Sequence, residues 1–179
     1  MKFKIFKFKK VNSTNNTAIR IIKNTNHKFG MIVSESQSNG RGQYGKKWVS
    51  YKGNLFVSFF LNLENLNIKL KQITKINCLL IKKLLSIYYK KKIVFKKPND
   101  LLIDKKKICG ILQETLVKLD KKFLIIGIGI NLIKNPNIKN YPTTNLHDLI
   151  KKKLSKSKIE NELKKIFELK INKHYKSIS

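Results

Sequence analysis

The sequence predicts an α+β domain built around a mixed sheet. Three observations lead there. Short segments alternate apolar and polar residues or run apolar throughout. One long central segment repeats its apolar residues every three or four positions. Strands come first, with helices interspersed and hairpins joining some of the strands.

Residues 2–10 alternate Lys with Phe or Ile, which reads as a first strand with one buried face. Ser13 or Asn12 can cap a short helix over residues 14–23. Residues 30–34 read as a second strand. Residues 36–47 hold Gly, Ser, Asn and Lys with no apolar period, and so form a loop. Residues 54–63, rich in Leu, Phe and Val, form a buried strand. The spacing of Leu70, Ile73, Ile76, Leu80, Leu84 and Ile87 predicts a helix over residues 69–90. A strand at 92–95 is cut off by Pro98, which has no N–H to give a ladder. Residues 101–103 and 108–119 read as two strands around the polar turn 104–107, and residues 122–132 as a further buried strand carrying Gly127 and Gly129. From Asn145 two helices follow, the second over about residues 158–175. With no internal repeat and no linker, residues 1–179 are expected to form a single domain, long enough for a sizeable core.

Composition excludes several classes. At 41% hydrophobic the chain is too apolar for a disordered polycation. Its longest mostly apolar stretch, residues 123–133, is far short of the roughly 20 residues of a membrane span. The opening MKFKIFKFKK has neither an apolar core nor a small-residue cleavage site, so no signal peptide is expected. Two cysteines, Cys78 and Cys109, rule out a disulfide scaffold and an all-Cys zinc site. A cytoplasmic location without membrane association is the expectation.

The net charge of +30 ordinarily points to nucleic acid. Yet the chain has 38 Lys and 2 Arg, together with 25 Ile, 19 Asn and one Ala. Lys, Ile and Asn have AT-rich codons, so mutational drift accounts for most of the charge. Arg, the residue best suited to guanine and to stacking on bases, is scarce. The same drift marks residues that it would have removed. Arg41 lies in Gly40-Arg41-Gly42, the only Trp is Trp48, and seven of eight glycines fall at 40, 42, 45, 53, 110, 127 and 129.

These rare residues cluster in stretches able to carry chemistry. From Glu35 to Trp48, three glycines let backbone N–H groups approach an anion, with Arg41, Lys46 and Lys47 adding charge. The stretch is neither a Walker loop nor a dinucleotide fingerprint, and a flexible glycine loop is the plain alternative. In Lys96-Lys97-Pro98-Asn99-Asp100 a strand delivers Lys96 to a stiff turn, where it can meet a carboxylate or phosphate or simply be solvated. Gly127-Ile128-Gly129-Ile130-Asn131 opens space on one face of a strand, ending in an amide able to read an adenine edge, unless it is a bulge. Ser13-Thr14-Asn15 alone is a helix cap. His27, His147 and His174 lack ligand spacing, and Gly-x-Ser-x-Gly is absent. A Cys–His nucleophile stays open, although both cysteines sit in apolar contexts.

Taken in order, these stretches resemble the biotin protein ligases, or biotin–[acetyl-CoA-carboxylase] ligases. The resemblance rests on Asn12-Ser13-Thr14-Asn15, Glu35-Ser36-Gln37, Gly40-Arg41-Gly42, Lys47-Trp48 and Gly53-Asn54-Leu55 with Ser58. It continues through Lys96 with Pro98-Asn99-Asp100, then Lys107-Ile108-Cys109-Gly110-Ile111-Leu112-Gln113-Glu114, and Gly127-Ile128-Gly129-Ile130-Asn131. It covers about residues 11–133. It implies a largely antiparallel central sheet flanked by helices, of the biotin/lipoate protein ligase catalytic-domain type related to class II aminoacyl-tRNA synthetases.

The implied reaction joins biotin to a lysine of a biotin carboxyl carrier protein, an acetyl-CoA carboxylase subunit, through biotinyl-5′-AMP. ATP is consumed and Mg2+ arrives bound to it, with no separate protein metal site. Implied catalytic residues are Lys96 and Arg41. Ser13, Thr14, Asn15, Gln37, Gly40, Arg41, Gly42, Gln43, Lys96, Gly110 and Gly127 would bind biotin; Arg41, Lys46, Trp48, Lys96, Gly129 and Asn131 would bind ATP or the adenylate. The chain departs from the family at Gln43, often Arg, and at Lys97, often Trp; a leakier adenylate is expected from the first. Neither a helix-turn-helix before residue 1 nor a small C-terminal β-barrel is expected, so specific DNA binding is not expected. A homodimer through the sheet is compatible with the family. Lipoate–protein ligase and a basic nucleic-acid-binding module are the alternatives.

Overall fold

The computed structural model describes residues 2–64 and 70–175. In chain order the elements are β1 (Lys4–Val11), α1 (Thr14–Asn24), β2 (Phe29–Gln37), β3 (Leu55–Asn62), α2 (Leu70–Tyr88) and β4 (Val94–Lys96). Then come β5 (Asp100–Ile103), β6 (Lys106–Lys118), β7 (Lys121–Ile130), α3 (Leu146–Ile150) and α4 (Lys156–Tyr175). The seven strands form one sheet in the order β1-β2-β3-β7-β6-β5-β4. Only β1 and β2 run parallel; every other neighbouring pair is antiparallel. The predicted α+β class, with a mixed and largely antiparallel sheet, is the one observed.

Strand alternation divides the side chains between two faces. On one, Ile32, Phe60, Phe123 and Ile125 bury Ala18 and Ile22 of α1. On the other, Phe59, Val57, Leu124, Ile126 and Ile128 pack beneath α2 and α4. Phe167 of α4 stacks on Phe59 with ring centroids 4.3 Å apart. Every residue of β3 is buried, which is why it reads as apolar on both faces apart from Ser58 and Asn62.

Local chemistry sets the element ends. Ser13 caps α1, its side chain accepting from the Asn16 N–H, and Asn145 caps α3 by accepting from the Asp148 N–H at 2.9 Å. The polar turn expected at 104–107 is tighter: Asp104 and Lys105 both have positive φ, the signature of a two-residue hairpin loop, so β6 begins at Lys106. Leu119 and Asp120 make the same turn between β6 and β7. The second strand runs to Gln37, because its pairing with β1 continues to Val11, and the loop is correspondingly shorter. Helix α2 ends at Tyr88; the expected start at Lys69 lies outside the described residues.

The first strand does not bury a single face. Its apolar phase changes between Ile5 and Phe6, so Phe3 packs on Phe59 at 4.9 Å while Phe6 turns to Phe60 on the opposite face at 6.4 Å. Ile5 is left 40% exposed. Lysines 4, 7, 9 and 10 line this edge strand, where charge discourages pairing with another chain.

Candidate functional site

The α1 face of the sheet opens into a cavity towards the end of β7. Cross-strand register explains why these residues meet there. Ser58, Gly127 and Leu112 are successive partners, and so are Phe56, Gly129, Gly110, Asp100 and Lys96. Glycines in both rows leave a hollow of about 600 Å³ between the sheet, the start of α1 and the loop after β2.

One end of the cavity is neutral. Thr14 donates through its backbone N–H (2.8 Å) and its hydroxyl (3.1 Å) to Gln37 Oε1, and Gln37 Nε2 donates to Ser50 Oγ at 3.0 Å. The Ser58 hydroxyl lies 2.8 Å from Thr14 Oγ1 and 2.5 Å from Asn15 Oδ1. Asn15 Nδ2 donates to Glu114 Oε2 at 2.7 Å. A Cβ on Gly127 would lie 2.3 Å from Asn15 Oδ1, so the amide rests directly on bare backbone.

The loop after β2 is itself a small hairpin. Trp48 N–H donates to Gly40 O at 2.9 Å, Gly42 N–H to Lys46 O at 2.6 Å, and Arg41 bridges Lys47. Tyr44 and Gly45 turn it with positive φ. Arg41 reaches back from this hairpin to pair with Glu114 of β6 and to donate to Asn16 of α1. Trp48 lies over the glycine floor: a Cβ on Gly129 would be 2.4 Å from its Cε2, and one on Gly110 2.7 Å from its Cζ3. Its indole Nε1 is buried without an acceptor.

The other end is cationic. Lys107 Nζ pairs with Asp100 Oδ1 at 2.8 Å, and the Tyr141 hydroxyl donates to Asp100 Oδ2 at 2.5 Å. Lys96 Nζ sits 4.6 Å from the centre of the Tyr141 ring. Burial, then the bond to Asp100, raises the Tyr141 hydroxyl above its ordinary range, so it stays a donor. Lys46, Lys47, Lys97 and Lys139 add charge around the rim, and Asp100 is the only acid among the described residues lining the cavity.

Most residues singled out in the sequence are therefore brought together. Ser13, Thr14, Asn15 and Gln37 form the neutral end. Arg41, Gly42, Gln43, Lys46 and Trp48 come from the hairpin, Lys96 from β4, and Gly110, Gly127 and Gly129 from the floor. Two are placed elsewhere. Gly40 lies at the root of the hairpin, against Trp48 O and Ser50. Asn131 is buried and does not line the cavity, its Nδ2 donating to Thr144 O at 3.1 Å. Sequence reasoning did not single out Asp100, Lys107, Glu114 or Tyr141 as site residues. The first three lie inside the motifs that carry the family resemblance, and an acid retained in a chain with only ten is a usable signal. Tyr141 carried none.

No thiol nucleophile serves the site. Burial foremost pushes Cys78 up to about 12 and Cys109 well above its usual range, and both are fully buried. His27 and His147 lie against Lys4 and Asp148 respectively. Among the described residues no group of three or more His, Cys, Asp or Glu could hold a metal ion, and no helix is long and apolar enough to cross a membrane.

Residues 7–131 match the profile of the biotin/lipoate A/B protein ligase family. The bifunctional ligase/repressor BirA of Bacillus subtilis is 32% identical over 129 residues, which is 71% of this chain and 40% of that protein. This chain thus aligns with well under half the length of that relative. A biotin protein ligase from Aquifex aeolicus, solved in complex with biotin and ATP, superposes with a TM-score of 0.81 at 28% identity, covering 97% of this chain and 72% of the other. One from Leishmania major, with biotinyl-5-AMP, gives 0.79 at 23% identity over 98% and 81% and shares the fold.

Proposed function

We propose that this chain, which belongs to the biotin/lipoate A/B protein ligase family, joins biotin to a lysine of a biotin carboxyl carrier protein through biotinyl-5′-AMP. One observation carries the reading: the cavity links a neutral hydrogen-bonding end to a cationic end across a floor of bare backbone. Biotin has the matching asymmetry, with a neutral ureido group at one end and a carboxylate at the other. The similarity to a ligase solved with biotin and ATP supports the same reading.

In this reading Ser13, Thr14, Asn15 and Gln37 hold the ureido group, with Thr14, Asn15 and Gln37 exchanging their bonds to one another and to Ser58 for bonds to its N–H groups and carbonyl. The biotin carboxylate oxygen attacks the α-phosphorus of ATP, and pyrophosphate leaves. Two anions must meet, and Lys96 offsets their repulsion as charge builds on phosphorus. Arg41, anchored to Glu114 and Asn16, fixes the hairpin that covers the reactants. The nucleotide fits where Trp48 lies against Gly110 and Gly129, its buried Nε1 lacking an acceptor. Mg2+ would be held by the ATP phosphates and would offset their charge, since among the described residues no group of three or more His, Cys, Asp or Glu could hold it. The carrier lysine then attacks the acyl carbon, and AMP departs. Positioning and electrostatics carry the chemistry, with little acid–base work. The proposed compartment is the cytoplasm, in keeping with two unpaired thiols.

Biotin-dependent exchange of labelled pyrophosphate into ATP tests this, with lipoate as the competing acid. Exchange with biotin alone, reduced at least about 100-fold by Lys96→Ala, is the expected outcome for a group that stabilises developing charge. Exchange with lipoate alone would transfer the reading to lipoate ligation. No exchange from folded protein with either acid would overturn it.

A further inference from the structure

We propose that Tyr141 is a positioning residue that holds Lys96 and Lys107 together at the cationic end of the cavity. This rests on the ligase reading above and goes beyond it to a residue outside the family match, which ends at residue 131.

The segment carrying Tyr141 is built against the site. After β7 the chain returns along the start of β6, where Lys107 N–H donates to Pro142 O at 2.8 Å and Thr144 N–H to Lys107 O at 2.9 Å. Asn135 Nδ2 donates to Thr143 O at 3.1 Å, and Asn145 Nδ2 to Asn135 Oδ1 at 2.7 Å, bracing the segment from within. The Tyr141 ring therefore arrives at a fixed place.

That place is shared by three charges. Lys96 Nζ is 4.6 Å from the ring centre and Lys107 Nζ is 5.5 Å from it, while the hydroxyl donates to Asp100, the partner of Lys107. Two ammonium groups in one cavity repel each other. A second carboxylate would hold them but cancel the charge needed for the reacting anions. An aromatic face attracts both cations while remaining neutral, so the trio of Lys96, Lys107 and Asp100 keeps its net positive charge. The hydroxyl also orients Asp100, which otherwise could turn from Lys107 towards Lys96. Tyr141 thus acts through the lysines rather than on the substrate.

Calorimetric affinities of the full chain separate this role from a structural one. The probes are biotinamide, which is neutral and reads the ureido end, and biotinol-5′-AMP, an unreactive analogue bearing one phosphate charge. Loss of the ring in Tyr141→Leu is expected to weaken biotinol-5′-AMP about 10-fold, the scale of a desolvated cation–π contact, with biotinamide changed less than about twofold. Tyr141→Phe keeps the ring and should fall between wild type and Tyr141→Leu. In a Lys96→Ala background Tyr141→Leu should cost clearly less than its effect alone, because one of its two cations is gone. Unchanged analogue binding in Tyr141→Leu, equal loss of both probes, or an undiminished loss in the Lys96→Ala background would each overturn the proposal. Wild-type protein that binds neither probe would overturn the ligase reading and the proposal with it.

Discussion

At Gly127 and Gly129 a single carbon atom separates an open floor from a blocked one. A Cβ at Gly127 would meet Asn15, and one at Gly129 would meet Trp48, so the two substitutions press on opposite ends of the same hollow. Gly127→Ala is expected to displace the amide that contacts Ser58 and Glu114, and to reduce biotin affinity at least about 10-fold, with a stability loss of about 1–3 kcal/mol from overpacking. Gly129→Ala should leave biotin affinity near wild type and depress ATP-dependent pyrophosphate exchange. Equilibrium biotin binding beside exchange rates decides it; the same loss of both in both variants would reject a cavity with two chemically distinct ends. These glycines were legible because codon drift disfavours Gly, and Arg41 and Trp48 stood out for the same reason. Lys107 was hidden among 38 lysines, and Tyr141 lay in a stretch with no period or motif. An amide at the end of a glycine-bearing strand can face either way; Asn131 does not line the cavity, and its Nδ2 ties the backbone of Thr144.

Among the elements, those with a sustained pattern were legible and those whose pattern changes were not. Helix α2 repeats its apolar spacing over several turns, and β3 and β7 are apolar enough to read as buried strands. The first strand misled because Lys-apolar alternation hides the switch of face between Ile5 and Phe6, which matters only once sheet and helices supply a core on both sides. Two-residue turns at Asp104–Lys105 and Leu119–Asp120 lack the usual Asn-Gly or Asp-Gly signal. Helix α4 shows how packing, not propensity, holds an element. Phe167 is fully buried and stacked on Phe59, whereas Leu169 is 72% exposed. Phe167→Ala should lower unfolding stability by about 3–5 kcal/mol, and Leu169→Ala should change it by less than about 0.5 kcal/mol. Urea titrations would show the first as a shift of midpoint at unchanged slope. Similar midpoints for the two variants would mean that α4 does not dock through Phe167.

For the whole molecule the dominant number is the charge, 40 cations against 10 acids. Most lysines cannot have an acidic partner, so like charges repel across the surface and the folded state concentrates them. Among the described residues the ion pairs sit where structure demands them, as in Arg41–Glu114 and Lys107–Asp100 at the site and Lys164–Glu168 along α4. Salt acts on this field with two opposite signs. The screening length shrinks from about 10 Å at 0.1 M to about 3 Å at 1 M. Relieved of self-repulsion, the fold should melt at higher temperature as salt rises. If the same field steers an acidic carrier domain to the cavity, transfer from preformed biotinyl-5′-AMP at limiting carrier should slow by about 10-fold between 0.05 and 0.5 M. Measured together, rising melting temperature and falling transfer rate separate steering from any loss of folded protein. A flat transfer profile beside a rising melting temperature would reduce the lysines to products of codon drift. A melting temperature that falls with salt would show that the few acids, placed as they are, already compensate the charge.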